Sequence, residues 1–140
     1  MVKNLGFVEF RNENYFIYYD DNVEIETQRF TVAHEIGHIV LNHFKIFSGS
    51  REQEANMFAA RLLMPISVLH ECNVANAAEI KILCNVSEIS AQYRFERLQI
   101  LRERNKFYTD KSEKKIYKNF KKYIKKILKT KKLKGKKWSE

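Results

Sequence analysis

Three residues that can carry chemistry, His34, Glu35 and His38, stand in the order H-E-x-x-H within RFTVAHEIGHIVLNH, residues 29–43. On a helix, histidines four positions apart lie about 40° apart around the axis, so both imidazoles can reach one metal ion. Glu35 lies about 60° from His38 on the same side, where it can contact a water molecule held by the metal. This arrangement is typical of a zinc hydrolase, in which zinc acidifies the water and the glutamate takes its proton as general base.

The alternative interpretation is that His34 and His38 are ordinary buried or capping histidines. At ordinary residue frequencies the pattern arises by chance in about one chain of this length in a few hundred, so the metal site is favoured. Between the histidines, Gly37 has no side chain, and we expect it to let a substrate or another strand approach the site.

A catalytic zinc ion needs a third protein ligand, and His43 is the nearest candidate in the sequence. It stands five residues after His38, which on a continuous helix points it about 140° away from that ligand. The helical wheel therefore predicts that His43 is a surface residue outside the site.

The segment REQEANMFAARLLMP, residues 51–65, provides better candidates for the third ligand. On a helical wheel Glu52 and Asn56 share one face with small alanines, whereas Glu54 falls beside Arg61 on the opposite, solvated side. We therefore predict Glu52 as the third ligand, with Asn56 bonded to the outer nitrogen of a histidine ligand. The alternative for Glu52 is a solvated charge that favours the helix dipole.

The secondary structure that must position these residues can be outlined from periodicity and capping signals. An antiparallel hairpin or meander is expected over residues 6–19, and NVEIET, residues 22–27, is either a further short strand or an irregular lead-in. The histidine helix follows, with Thr27 or Thr31 as its cap. Ser87 is expected to cap a later helix. The predicted helices span residues 28–44, 52–64, 67–72, 76–84 and 88–104, and Pro65 ends the second.

The positive charge of the chain is concentrated in its last thirty residues. Residues 1–110 hold 12 Lys and Arg against 15 Asp and Glu, whereas residues 111–140 hold 14 Lys against 2 Glu. Apolar residues from Ile116 to Leu128 recur at helical spacing among the lysines, which predicts an amphipathic basic helix that frays over residues 129–140. We expect it to pack on the domain with a solvated lysine face; a nonspecific contact with nucleic acid or an anionic surface is the alternative.

Several classes of protein are disfavoured by the remaining features. The chain has no apolar run of 18 residues and no secretory signal, so no transmembrane segment and a cytoplasmic location are expected. Cys72 and Cys84 match neither a zinc ribbon nor a redox pair, and we interpret both as small buried hydrophobic residues. We expect a metallopeptidase domain over residues 1–108 and a lysine-rich helix and tail over residues 109–140.

The order HEIGH, then E-x-x-A-N-x-F-A, then L-L-M-P resembles the ImmA/IrrE family of small metallopeptidases, over about residues 5–104. The resemblance implies an α+β fold, with a small N-terminal antiparallel hairpin packed on a helical zincin-like core. It also implies a gluzincin-like site in which His34, His38 and Glu52 bind Zn²⁺ and Glu35 is the base. Members of the family cleave helix-turn-helix repressors of phages, mobile elements and stress regulons, so such a repressor is the expected partner.

The sequence leaves the residue that stabilises the oxyanion open. Peptidases use a Tyr, His or Arg for this purpose. Tyr93 and Arg94 are possible by type, but they are not included in the predicted site. The sequence thus predicts a zinc endopeptidase, with a noncatalytic interaction module of the same fold as the alternative.

Overall fold

The computed structural model describes residues 5–45, 49–105 and 111–138, with side chains up to residue 134. A hairpin on α1 precedes the helices, which confirms the predicted α+β class. The expected boundary between residues 108 and 109 lies outside the described residues. None of the described helices combines the length and the apolar character needed to cross a membrane. The elements are β1 (Gly6–Arg11), β2 (Asn14–Tyr19), α1 (Ile25–Val40), α2 (Arg51–Leu63), α3 (Ile66–Glu71), α4 (Ala77–Cys84), α5 (Glu88–Glu103) and α6 (Lys111–Trp138).

The two strands form the hairpin that the sequence predicts over residues 6–19. Its turn residues Asn12 and Glu13 have φ angles of 51° and 63°, and positive φ at both positions suits the twist of a two-residue hairpin turn. At Gly6 a Cβ atom would lie 2.5 Å from the Cγ2 atom of Thr31 in α1. The missing side chain therefore lets the start of β1 lie directly on α1.

Helices α1 and α2 cross over small residues. Ala55 and Ala59 of α2 are fully buried at this contact. A Cβ atom on Gly37 of α1 would lie 3.1 Å from the Cβ of Phe58 and 3.2 Å from the Cα of Ala55. Gly37 thus accommodates α2, whereas the sequence led us to expect a substrate or a strand at this position.

The predicted caps of the helices are partly correct. Ser87 caps α5, since its hydroxyl accepts a backbone N–H from the first turn. At α1 the prediction is wrong, because the helix begins three residues earlier than expected and Glu24 takes the capping position without a side-chain hydrogen bond. The hydroxyl of Thr31 donates to the carbonyl of Thr27 inside the helix, at 2.8 Å. Neither threonine is therefore available as a cap.

The main hydrophobic core lies among α3, α4, α5 and α6. Its buried members are Met64, Ile66, Val68, Leu69, Cys72, Val74, Ile80, Val86, Ala91, Leu98 and Ile124. Cys84 packs against this cluster, and both cysteines are free thiols. Burial raises the pKa of the Cys84 thiol to about 11, so this cysteine stays protonated and behaves as a small hydrophobic residue.

Both ends of α3 are bonded to side chains of α6. The carboxylate of Glu113 accepts the backbone N–H of Ser67 at 3.1 Å, near the start of α3. At the end of α3 the ammonium of Lys131 donates to the carbonyl of Cys72 at 2.9 Å and pairs with Glu79 at 2.7 Å. A negative charge at the start of a helix and a positive charge at its end both complement the helix dipole. The lysine-rich helix is therefore integrated into the fold, as expected.

The prediction that the chain frays after residue 128 is wrong as far as the structure describes it. Helix α6 continues to Trp138, and residues 139–140 lie outside the described part. The contacts of Lys131 hold this stretch against α3 and α4, and lysine and leucine are strong helix formers. Composition alone could not reveal the anchor.

Because Ile124 of α6 is 4% exposed and belongs to the core, the substitution Ile124→Ala should lower the free energy of unfolding by about 2–4 kcal/mol. Leu133→Ala is the matched control on the same helix, since Leu133 is 60% exposed, and its effect should stay within about 0.5 kcal/mol. Urea unfolding of the full chain measures both values. Equal stability of the two variants would contradict the packing of α6 on the core.

Candidate metal centre

Helix α1 presents His34 and His38 one turn apart, with their rings nearly perpendicular at a centroid distance of 4.7 Å. Their Nε2 atoms lie 3.1 Å from each other. His38 is buried and His34 is half-buried. Both rings therefore direct the same nitrogen toward one point at the surface of the helix.

Helix α2 brings Glu52 to this point. One carboxylate oxygen lies 3.0 Å from Nε2 of His34 and the other lies 3.1 Å from Nε2 of His38. The close crossing of α1 and α2 at Gly37 makes this reach possible. The remaining surface of the Glu52 side chain is open, at 70% exposure, so the site is accessible from solvent.

The distances among these donor atoms fit a small metal ion. Tetrahedral zinc with bonds of about 2.0–2.1 Å keeps its ligand atoms about 3.3 Å apart, close to the separations of 3.0 and 3.1 Å between the imidazoles and Glu52. His34, Glu35 and His38 also offer ligand atoms that lie within 4.8 Å of one another. Two imidazoles and a carboxylate are donors that a zinc site uses.

Asn56 lies beside His34, on the side away from Glu52. Its side-chain oxygen is 2.7 Å from Nδ1 of His34 and accepts the proton of that nitrogen. Neutral imidazole carries one proton, so the hydrogen bond leaves the lone pair on Nε2, the nitrogen that faces Glu52 and could bind a metal ion. Asn56 therefore contacts the outer nitrogen of a histidine, as the sequence predicts.

Glu35 is buried, at 7% exposure. Burial raises the pKa of its carboxyl group, the neighbouring His34 lowers it, and the negative charge of Glu52 raises it; the net effect is an increase. A carboxylate with a raised pKa is a stronger base than an exposed one. The residue predicted to accept a proton thus sits where its basicity is increased.

His43 lies next to His38, which contradicts the prediction that it is a surface residue. Helix α1 ends at Val40, and Asn42 takes a left-handed conformation with φ of 60°. The N–H of Asn42 then donates to Ile39 and that of His43 donates to the carbonyl of His38, which is the Schellman pattern of a helix end. The turn brings the His43 ring back to 2.7 Å from Nδ1 of His38 and leaves the residue 7% exposed. The helical wheel failed because it extended α1 to Phe44.

Glu54 is also placed differently from the prediction. It was expected on the solvated side of α2 beside Arg61, yet its carboxylate lies 2.8 Å from Nε2 of His43. The hydroxyl of Ser50 donates to its other oxygen, also at 2.8 Å. The wheel considered the faces of α2 alone, whereas the turn after α1 lies over the first turn of α2. An asparagine two residues after the last helical residue, Asn42 after Val40, was the signal in the sequence for this turn.

The three donors face a cleft of about 810 Å³ between the hairpin, α1 and α2. Its walls include Gly6, Phe7 and Val8 of β1, Phe30, Thr31, His34, Glu35 and His38 of α1, and Arg51, Glu52 and Asn56 of α2. The donors of the candidate metal centre therefore line the same cleft as the start of β1.

Tyr93 and Arg94 line a second cleft of about 370 Å³, which shares Phe30 and Asn56 with the first. The guanidinium of Arg94 donates to the carbonyl of Met64 at 2.8 Å, and burial lowers its pKa to about 10. Neither residue lines the cleft of the donors. Their omission from the predicted site is consistent with these positions.

Comparison with known proteins identifies one family. The Peptidase M78 family model, described as the IrrE N-terminal-like domain, matches residues 1–96. A search of curated proteins and a search of solved structures each gave no match. The matched region spans the hairpin, α1 to α4 and the first half of α5, and so includes the donors and Glu35. On this match, and in agreement with the resemblance seen in HEIGH and EQEANMFA, the chain belongs to the Peptidase M78 (ImmA/IrrE) family.

Proposed function

We propose that this protein is a zinc-dependent endopeptidase that hydrolyses a peptide bond in a helix-turn-helix transcriptional repressor. The observation that carries the proposal is the convergence of Nε2 of His34, Nε2 of His38 and the carboxylate of Glu52 at 3.0–3.1 Å, with Glu35 buried beside them. Membership of a peptidase family supports hydrolysis as the reaction. The repressor as substrate is supported by the resemblance to ImmA/IrrE proteins.

In this proposal the residues of the site have three tasks: binding the metal, orienting a ligand and transferring a proton. His34, His38 and Glu52 hold the metal, and Asn56 keeps His34 in the tautomer with a free Nε2. Bound zinc would supply Lewis acidity toward both the attacking water and the scissile carbonyl. Glu35 removes a proton from that water and passes it to the amine that leaves, a transfer assisted by its raised pKa.

A noncatalytic module that binds a repressor or toxin partner through the same cleft is the second candidate. It is supported by the position of Tyr93 and Arg94, the two oxyanion donors considered from the sequence, since both line the neighbouring cleft; Arg51 is a residue of a suitable type that does line the cleft of the donors. The two candidates share the fold and the metal donors. They differ in whether Glu35 transfers a proton.

The proposed ligands predict that the purified protein binds one equivalent of zinc. His34→Ala and Glu52→Ala should each weaken zinc binding by about 100-fold or more, because each removes a ligand. Glu88→Ala is the matched control for Glu52, since Glu88 also lies in the first turn of a helix, and it should bind zinc like the wild type. Competition with a chromogenic chelator measures the affinities. Wild-type affinity in Glu52→Ala would remove this residue from the ligand set.

The role of Glu35 predicts a variant that separates binding from catalysis. Glu35→Gln should keep stoichiometric zinc and lose cleavage by about 10²–10⁴-fold, since an amide cannot accept the proton. A helix-turn-helix repressor encoded beside the gene is the substrate to test, with cleavage followed by mass spectrometry. Undiminished proteolysis by Glu35→Gln would exclude the mechanism. Zinc-loaded wild type that binds the repressor without cutting it would favour the noncatalytic module.

We also propose that the lysine-rich face of α6 binds a polyanionic partner, and that this partner is nucleic acid. Five apolar residues of the helix, Ile116, Tyr117, Ile124, Ile127 and Leu128, already pack on the core, so this part of the apolar face is not available for insertion into a membrane. Exposed lysines occupy the opposite face at alternating spacings of four and three residues. They are Lys111, Lys115, Lys118, Lys122, Lys125, Lys129 and Lys132. The ammonium groups of such a row can contact phosphates electrostatically. They lack the planar, bidentate donor geometry with which arginine recognises a base.

Neutralising part of this row should weaken binding to duplex DNA of arbitrary sequence. For Lys118, Lys122, Lys125 and Lys129 changed together to Gln, we expect the slope of log affinity against log salt to fall by about 0.9 for each lost phosphate contact. The same four positions changed to Arg are the control, because they keep the charge. Fluorescence anisotropy across a salt series gives the slopes. Unchanged DNA affinity in the Gln variant, or binding to anionic vesicles alone, would exclude nucleic acid.

A further inference from the structure

A chain of hydrogen bonds runs from His38 away from the metal donors. Nδ1 of His38 lies 2.7 Å from Nδ1 of His43, and Nε2 of His43 lies 2.8 Å from a carboxylate oxygen of Glu54. The second oxygen of Glu54 accepts the hydroxyl of Ser50. The proposed function gives His43 and Glu54 no task, although both are linked to a proposed ligand.

The positions of the protons follow from the end of this chain. A carboxylate only accepts, so the Nε2 of His43 facing Glu54 carries a proton. Neutral His43 then has a bare Nδ1, which accepts the proton of Nδ1 on His38. Since the proton of His38 is on Nδ1, its Nε2 keeps the lone pair that faces His34 and Glu52. Glu54 therefore determines, through His43, which nitrogen of His38 is free to bind a metal.

The geometry also restricts the orientation of the His38 ring. His43 makes two hydrogen bonds with His38. Its backbone N–H donates to the His38 carbonyl at 3.0 Å, and its ring Nδ1 is bonded to the ring Nδ1 of His38. The side chain of His43 is 4% exposed, so water does not compete for these bonds. A ring fixed at its outer nitrogen cannot rotate without breaking the hydrogen bond.

We infer that His43 and Glu54 are positioning residues of the metal centre: Glu54 orients His43, and His43 holds His38 in the rotamer and tautomer that a metal ion requires. The inference rests on the proposed metal site. The two proposed histidine ligands then differ in their outer hydrogen bonds. His34 is bonded to the neutral amide of Asn56, whereas His38 is bonded to His43, which is in turn bonded to the carboxylate of Glu54.

The test is a double-mutant cycle on zinc affinity in the full chain. Outer hydrogen bonds to metal ligands typically change metal affinity by 10–100-fold. We expect Glu54→Ala to weaken zinc binding by about 10-fold, while His43→Leu, which removes the acceptor for His38, weakens it by about 10–100-fold. His43→Asn places an amide oxygen near the position of Nδ1 and should restore most of the affinity. In the His43→Asn background Glu54→Ala should have little effect, since the link between Glu54 and His38 is already broken.

Two further measurements separate positioning from general stability. The visible spectrum of the Co²⁺-loaded protein reports the geometry around the metal, and it should change in Glu54→Ala but stay unchanged in Glu88→Ala, a control that also removes a first-turn acid. Unfolding of the metal-free proteins gives their stabilities. If His43→Leu does not fold, the half-exposed Glu54 position still provides the test.

Each outcome has one meaning. If the wild type itself does not bind zinc, the proposed metal site fails, and this inference fails with it. If the wild type and the Glu88 control bind zinc but Glu54→Ala does so with the same affinity and the same Co²⁺ spectrum, the positioning role alone is rejected. Additive effects of His43→Asn and Glu54→Ala would likewise reject it, because they would show that Glu54 does not act through His43.

Discussion

The close contact of α1 with α2 is the constraint on which the rest of the site depends. It exists because Gly37 has no side chain and Ala55 and Ala59 have small ones. Glutamate has a short side chain, so Glu52 reaches the two imidazoles at 3.0–3.1 Å only while the helices stay this close. Dense packing between the helices thus determines the distances in a site that opens to solvent.

The same contact concentrates acidic groups near the histidines. Glu35 is buried, Glu52 is open to the cleft, and Glu54 accepts hydrogen bonds from His43 and Ser50. The negative charge of Glu52 adds to the effect of burial on the pKa of Glu35. A metal cation at the donors would stabilise the negative charges of Glu35 and Glu52, which repel each other in its absence. The electrostatics of the centre therefore favour a cation independently of the donor distances.

Local signals in the sequence predicted most of the elements. The hairpin, the end of α2 at a proline and the Ser87 cap each depend on only a few neighbouring residues. The helical wheel also predicted that Glu52 and Asn56 face the histidines, since they lie inside a regular helix. It failed for His43 and Glu54, whose positions depend on where α1 ends and on the turn that follows. It failed as well for the end of α6, where Lys131 bonds to residues more than fifty positions away in the chain. Contacts between distant residues leave no periodic trace in a sequence.

The left-handed residue that ends α1 has a consequence for the length of this segment. Because Asn42 turns the chain back onto the helix, the number of residues from His38 to His43 matters as much as their identity. An insertion or deletion in this interval would leave H-E-x-x-H and Glu52 intact and still separate the His43 ring from His38. Among related chains, loop length after the second histidine would then distinguish centres with this outer support from centres that hold the ligand in another way.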